Sequence, residues 1–159
     1  MKKILLIGVL GLMIGLTGCN KDDESSQQLF FVNVYIQDSP SLNKALASPS
    51  SVFLFEDTGK EVDNTASASS VRNNQVMTFT DGTTSDRCKY SSPSTTGVNT
   101  FEDINNGKYI IWVVYVPYGF LAHSSSQKIV VDKNIQAKNI DKIFLNKGTF
   151  GYQAWNEGW

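Results

Sequence analysis

Apolar and polar positions alternate with period two along much of the chain from Leu29 onward. Between Leu29 and Gln37, Phe30, Val32, Val34 and Ile36 fall on one side and Leu29, Phe31, Asn33 and Tyr35 on the other. Successive side chains of a strand point to opposite faces, and the β-branched and aromatic content reinforces that assignment. Val52 to Glu56 predicts a second strand, Asp57-Thr58-Gly59-Lys60 a tight turn, and Glu61-Val62 the start of the returning strand. Gln75 to Thr80 alternates again, Met77 and Phe79 opposing Val76 and Thr78. The Ser- and Pro-punctuated piece from Asp38 to Ser51 reads as a loop with one helical turn around Leu42 to Leu46. Asp63 to Asn74, rich in Ser, Ala and Asn, reads as a long exposed loop, and Thr83 to Asn99, anchored only by Cys88 and Tyr90, as a second. Loops of that length in a compact domain are where binding functions reside.

The strongest local signal lies further on. Phe101-Glu102-Asp103-Ile104 and Lys108 to Val116 flank Asn105-Asn106-Gly107, and two strands around an Asn-Gly turn predict a hairpin. Lys128 to Asp132, Ile140 to Leu145 and Phe150 to Trp155 bring the count to seven to nine short strands, with no convincing amphipathic helix. The expected fold is therefore all-β, an antiparallel β-sandwich, with a small β-barrel as the alternative.

Phe101, Gly107, Tyr109, Ile111, Val113, Gly119 and Phe120 also form a pattern that resembles the transthyretin-like, Ig-like sandwiches of the carboxypeptidase regulatory-domain type. Val52-Phe53-Leu54-Phe55 with Asp57 to Gly59 is similar to that family's early hairpin, and the polar insertion between Asp63 and Asn99 departs from it. The resemblance implies that Tyr109, Ile111 and Val113 face the core while Ile110, Trp112, Val114 and Val116 face outward. Such an outward row is larger than a soluble monomer normally leaves bare. The expected covers are one of the long loops, the aromatic tail Phe150, Tyr152, Trp155 and Trp159, or a partner protein.

Ahead of this domain, Lys2 and Lys3 precede an uncharged run from Ile4 to Leu16. That run is shorter than the roughly 20 residues a spanning helix needs, so it reads as an export signal. It ends in Leu16-Thr17-Gly18-Cys19, which resembles the lipobox of bacterial lipoproteins, and the resemblance implies that Cys19 is lipidated and becomes the first mature residue. The expected organisation is a signal peptide over 1–18, lipidated Cys19 with a polar tether to residue 28, and one domain over 29–159. About 140 mature residues suffice for a single core burying about two-thirds of the unfolded surface. Lys21-Asp22-Asp23-Glu24 resembles a surface-export signal of certain Gram-negative lipoproteins. It implies an outer-membrane location with the domain exposed at the cell surface; the alternative is a solvated spacer on a periplasm-facing protein.

Fourteen basic and fifteen acidic side chains give a formal net charge of −1, and loss of Lys2 and Lys3 makes the mature chain more acidic. Without a basic cluster to neutralise phosphates, nucleic acid is excluded as an expected partner. With Cys19 lipidated, Cys88 has no disulfide partner and reads as a small buried hydrophobe. His123, the single histidine, falls in Ala122-His123-Ser124-Ser125-Ser126, a loop between expected strands. No spacing links it to Cys88 or to a serine nucleophile, and one histidine with one free thiol does not build a transition-metal site. Asp81, Asp86, Asp132 and Asn134 read as ordinary turn residues, not as a calcium loop.

No cofactor is expected. The function read from the sequence is non-catalytic: a lipid-anchored surface module that binds a glycan or a protein or serves as a subunit of a surface assembly. Trp112, Tyr118, Tyr152, Trp155 and Trp159 are the candidate contacts, since aromatic rings stack on sugars and are favoured at interfaces. The alternatives are a small hydrolase or thiol enzyme using His123 and Cys88, and a purely structural envelope lipoprotein.

Overall fold

The structure is a computed structural model describing residues 29–117, 122–132, 137–146 and 159. Cys19, the tether, Tyr118, Tyr152, Trp155, Asn134 and the expected strand from Phe150 to Trp155 lie outside the described residues. The described residues form ten strands and one helix in the order β1 (Leu29–Gln37), β2 (Ala45–Leu46), β3 (Ser50–Glu56), α1 (Asn64–Asn74), β4 (Val76–Thr78), β5 (Thr84–Arg87), β6 (Tyr90–Ser94), β7 (Val98–Glu102), β8 (Gly107–Tyr115), β9 (His123–Val131) and β10 (Ala137–Leu145). In one sheet β1 is flanked by β10 on one side and by β2 and β7 on the other; the second sheet runs β6-β3-β8-β9, and β4 pairs with β5 alone.

These are the layers of a β-sandwich. Phe30, Val32 and Val34 of β1 and Phe144 of β10 meet Val52 and Leu54 of β3 and Tyr109, Ile111, Val113 and Tyr115 of β8 in the core between the sheets. Tyr115 and Phe144 join the two sheets through rings 6.0 Å apart. Each strand contributes alternate residues to this core, as the period-two pattern requires. One pairing is not antiparallel: β1 and β10 run parallel in register from Leu29–Ala137 to Gln37–Leu145.

Several expectations give way. Asp57 to Lys60 does turn, with Gly59 at φ 83° and its amide donating to Asp57 Oδ1 at 2.9 Å. It closes no hairpin, because β3 takes β6 and β8 as partners, and Val62 makes only an isolated bridge to Phe79. The stretch 63–74 is a helix, not a loop. Asp63 caps it, its Oδ1 accepting from the Ala66 amide at 2.9 Å, and Gln75 ends it in the left-handed region at φ 59°. The helix leaves no mark in the hydropathy pattern because it buries only Ser67 and Val71, too narrow a stripe to register as amphipathic. The stretch 83–99 is likewise mostly β5 and β6, whose serines and threonines alternate between half-buried and exposed positions. Within 38–51, Ala45 and Leu46 pair with β1 in place of a helical turn.

The expected hairpin around Asn105-Asn106-Gly107 is also absent. β7 pairs with β1 and β8 with β3 and β9, so the connection crosses from one sheet to the other. Ile104 plugs into the core between the sheets, which a two-residue turn would not permit. Two tyrosines pin the crossing: Tyr109 Oη donates to the Asn105 carbonyl at 2.8 Å, and the Asn105 amide donates to Tyr90 Oη at 3.1 Å. The assignment of faces along β8 from the transthyretin-like pattern is nevertheless the one observed, although the pairing that pattern implies is not formed.

Candidate functional site

The outward row of β8 sets the geometry. Ile110, Trp112 and Val114, with Phe53 and Phe55 of β3, form a second core against Val71 of α1, Met77 of β4 and Phe79. The cover over this face is therefore the polar insertion itself, one of the three covers considered. It is held by polar contacts as well. Ser67 Oγ donates to the Thr78 carbonyl and accepts from the Thr78 amide, each at 2.9 Å, and Ser70 Oγ donates to the Val76 carbonyl at 2.7 Å. The serines that suggested a loop are the groups that fasten helix to strand without leaving buried polar atoms unpaired.

Where α1 meets β9 the cover is incomplete, leaving a cavity of about 460 Å³ lined by Asn64, Thr65, Ala68, Trp112, Ser124, Ser125, Ser126 and Trp159. In the β8–β9 register Trp112 lies opposite Ser126 and Val114 opposite Ser124, so the Ser124 and Ser126 side chains share the Trp112 face. Ser125 lies opposite Val113 and turns its side chain towards the core between the sheets. Ser126 Oγ donates to Asn64 Oδ1 at 2.8 Å, tying β9 to the first residue of α1. Trp112 is 1% exposed, and its Nε1 is buried without a hydrogen-bonding partner among the described residues. Trp159 is 39% exposed at the rim. Lys142 Nζ stands 5.6 Å from the Trp159 ring and 4.7 Å from the Phe144 ring, within cation–π range of both.

Of the five candidate contacts, the structure thus brings Trp112 and Trp159 to one cavity, with Trp112 in the wall and not on the surface. The sequence reading missed Ser124, Ser126, Asn64 and Thr65. The sequence carries no signal for them: Ser124-Ser125-Ser126 shows no alternation that would tell two faces apart, and Asn64 and Thr65 open a helix whose composition reads as a loop.

A second cleft of about 450 Å³ lies between the end of β3 and β5, with Phe55 and Phe79 as its apolar lining and Lys60, Arg87 and Lys89 facing Glu56 and Asp86. Two of its cations are already engaged, Lys60 with Asp81 at 2.9 Å and Lys89 with Glu56. Thr83 and Lys60 together hold the Asp81 carboxyl down at about 2.

His123 and Cys88 do not meet. His123 opens β9 and is buried opposite Tyr115, on the face of the sheet that looks into the core between the sheets. It is therefore not the solvated loop residue expected. Cys88 packs against the second core on the opposite face, half-buried, with its Sγ 3.5 Å from Gln75 Oε1. Burial pushes its thiol above the ordinary value, more than Arg87 draws it down, the reverse of what a nucleophilic thiolate needs. Among the described residues no three His, Cys, Asp or Glu side chains group to hold a metal ion, and no helix is long and apolar enough to cross a membrane.

No protein-family model matches the chain, and no curated protein matches it. Among solved structures, it is similar to BcpA, the major pilin subunit of Bacillus cereus, with a TM-score of 0.36, and to a variant form of that subunit with a TM-score of 0.41. Each is 14% identical over 73% of this chain, which spans 29% of the pilin chain's length.

Proposed function

We propose that this chain is an exported, lipid-anchored, non-catalytic binding or scaffolding module of the bacterial outer membrane, displayed at the cell surface. The observation that carries the binding part is the cavity between α1 and β9. It is a recess lined, among the described residues, by no ionisable side chain, with one tryptophan in its wall and another at its rim, left open by an insertion that otherwise seals the face beneath it. Pockets that combine aromatic surface with a few placed polar groups are the usual form of a ligand site. The anchoring part is supported by Lys2 and Lys3, the apolar run and Leu16-Thr17-Gly18-Cys19, and surface display by Lys21-Asp22-Asp23-Glu24. Acyl chains contribute about 0.8 kcal/mol per buried methylene, so several together hold a domain on a membrane. The hydrolase or thiol-enzyme reading finds no support in the geometry, since the sheet itself separates Cys88 from His123.

Fractionation of cells making the wild-type chain or Cys19→Ser, with external protease applied to intact cells, tests the reading. The wild type is expected in the membrane fraction and open to shaving, and the variant in soluble or unprocessed form. A variant that fractionates with membranes as the wild type does rejects the anchor. Resistance of the wild type to the protease rejects surface display.

A further inference from the structure

The chemistry of the α1–β9 cavity narrows its ligand. Among the described residues no ionisable side chain lines it, so a charged ligand would shed its hydration without gaining a counter-charge from that lining. A wholly apolar ligand fares no better, because it would strand the Ser124 and Thr65 hydroxyls. The Trp112 ring closes the wall on the same side of the sheet as Ser124 and Ser126, its Nε1 buried and without a hydrogen-bond partner among the described residues. At the rim, the Trp159 ring is positioned by Lys142 on one side and is partly open to solvent. An aromatic face carries negative potential and attracts polarised C–H groups. One molecular class offers uncharged hydroxyls along its edge, each able to donate and accept, and a C–H-lined face: a sugar ring. The volume of about 460 Å³ falls within the range of roughly 300–1,000 Å³ typical of small-ligand pockets.

We propose that the α1–β9 cavity holds a ring of a neutral saccharide against the Trp112 wall, with Trp159 stacked on its C–H face and the Ser124 hydroxyl bonding an edge oxygen. This rests on the reading of the chain as a binding module and specifies its ligand class.

The test is ¹⁹F NMR of the full chain in detergent micelles with 5-fluorotryptophan at Trp112, Trp155 and Trp159, the signals assigned by single Trp→Phe variants. The probes are glucose, galactose, mannose and N-acetylglucosamine with their disaccharides. Glucuronic acid, glucosamine and a set of neutral dipeptides form the comparison. A neutral sugar is expected to shift the Trp112 and Trp159 signals saturably. Trp159→Ala is expected to weaken it roughly tenfold, as for loss of one stacking contact, with partial recovery in Trp159→Phe. Ser124→Ala, which leaves the tryptophans in place, is expected to weaken it several-fold through one lost hydrogen bond. The Trp112 signal reports in each variant whether the fold is kept. Shifts produced only by the charged sugars or the dipeptides overturn the neutral-saccharide assignment while leaving the site standing as a binding site. If no probe moves either signal, the saccharide assignment and the use of this cavity as the module's site both fail.

Discussion

Replacing Met77 by alanine asks whether the insertion is part of the folding unit or an appendage. Met77 is 0% exposed at the centre of β4, among Phe53, Phe55, Val71, Phe79, Ile110, Trp112 and Val114. The change removes Cγ, Sδ and Cε. At about 0.8 kcal/mol per methylene-sized group the transfer part is about 2 kcal/mol. A residual void of about 50 Å³ adds about 1 kcal/mol at roughly 24 cal/mol per Å³. The expected loss is thus about 3 kcal/mol, a large part of the 5–15 kcal/mol typical of a whole domain. Urea unfolding followed by tryptophan fluorescence and far-UV circular dichroism measures it. With a slope of about 2 kcal/mol per molar, the midpoint should fall by about 1.5 M, with both probes moving together. Val130→Ala, on a β9 side chain that is 57% exposed, is the control and should stay within about 0.5 kcal/mol of wild type. If Met77→Ala behaves like Val130→Ala, the insertion is not packed on the sheet as described, and the cavity loses its α1 wall.

Two glycines with the same φ of 83° make a paired test. At Gly97 an added Cβ would stand 2.9 Å from the Ala47 carbonyl oxygen, whereas at Gly59 it would meet nothing within 4 Å. Gly59→Ala should cost about 1 kcal/mol, the conformational penalty alone, and Gly97→Ala at least about 2 kcal/mol, because β2 must shift as well; equal unfolding midpoints for the two variants would contradict the close approach. Acid stability gives a further prediction. The Asp81 carboxyl lies at about 2 in the folded chain against 3.8 ordinarily, so its ionised form stabilises the fold above pH 3.8, and that contribution is lost as pH falls through 2. The stability difference between wild type and Asp81→Asn, measured by denaturant titration from pH 5 to pH 2, should therefore shrink as pH falls. A difference that is constant or grows towards acid would show that the contacts with Thr83 and Lys60 do not favour the ionised carboxylate.

Period-two patterning pointed to an antiparallel β-sandwich, with a small barrel as the alternative, and put Phe30, Val32 and Val34 on one face of β1, because burial on one face writes itself directly into alternation. β8 is apolar on both sides, so its two faces came from the transthyretin-like resemblance, and the need for a cover over Ile110, Trp112 and Val114 followed from that assignment. The identity of the cover was not. Ser67 and Ser70 read as loop residues because their hydrogen bonds to β4 exist only once helix and strand are adjacent, and sequence shows a hydroxyl but not its partner. Nor was strand pairing legible across Asn105 to Gly107. An Asn-Gly turn specifies a local reversal, but Ile104 gains more by entering the core than a hairpin would give it, and that gain depends on β1 and β3 lying far away in sequence yet adjacent in space. The candidate site divides in the same way. Composition picked out Trp112 and Trp159, whereas only the tertiary structure decided that Trp112 belongs to a wall, Trp159 to a rim, and Ser124 and Ser126 to the space between. A residue's chemistry is local, but the company it keeps is set by contacts between distant parts of the chain.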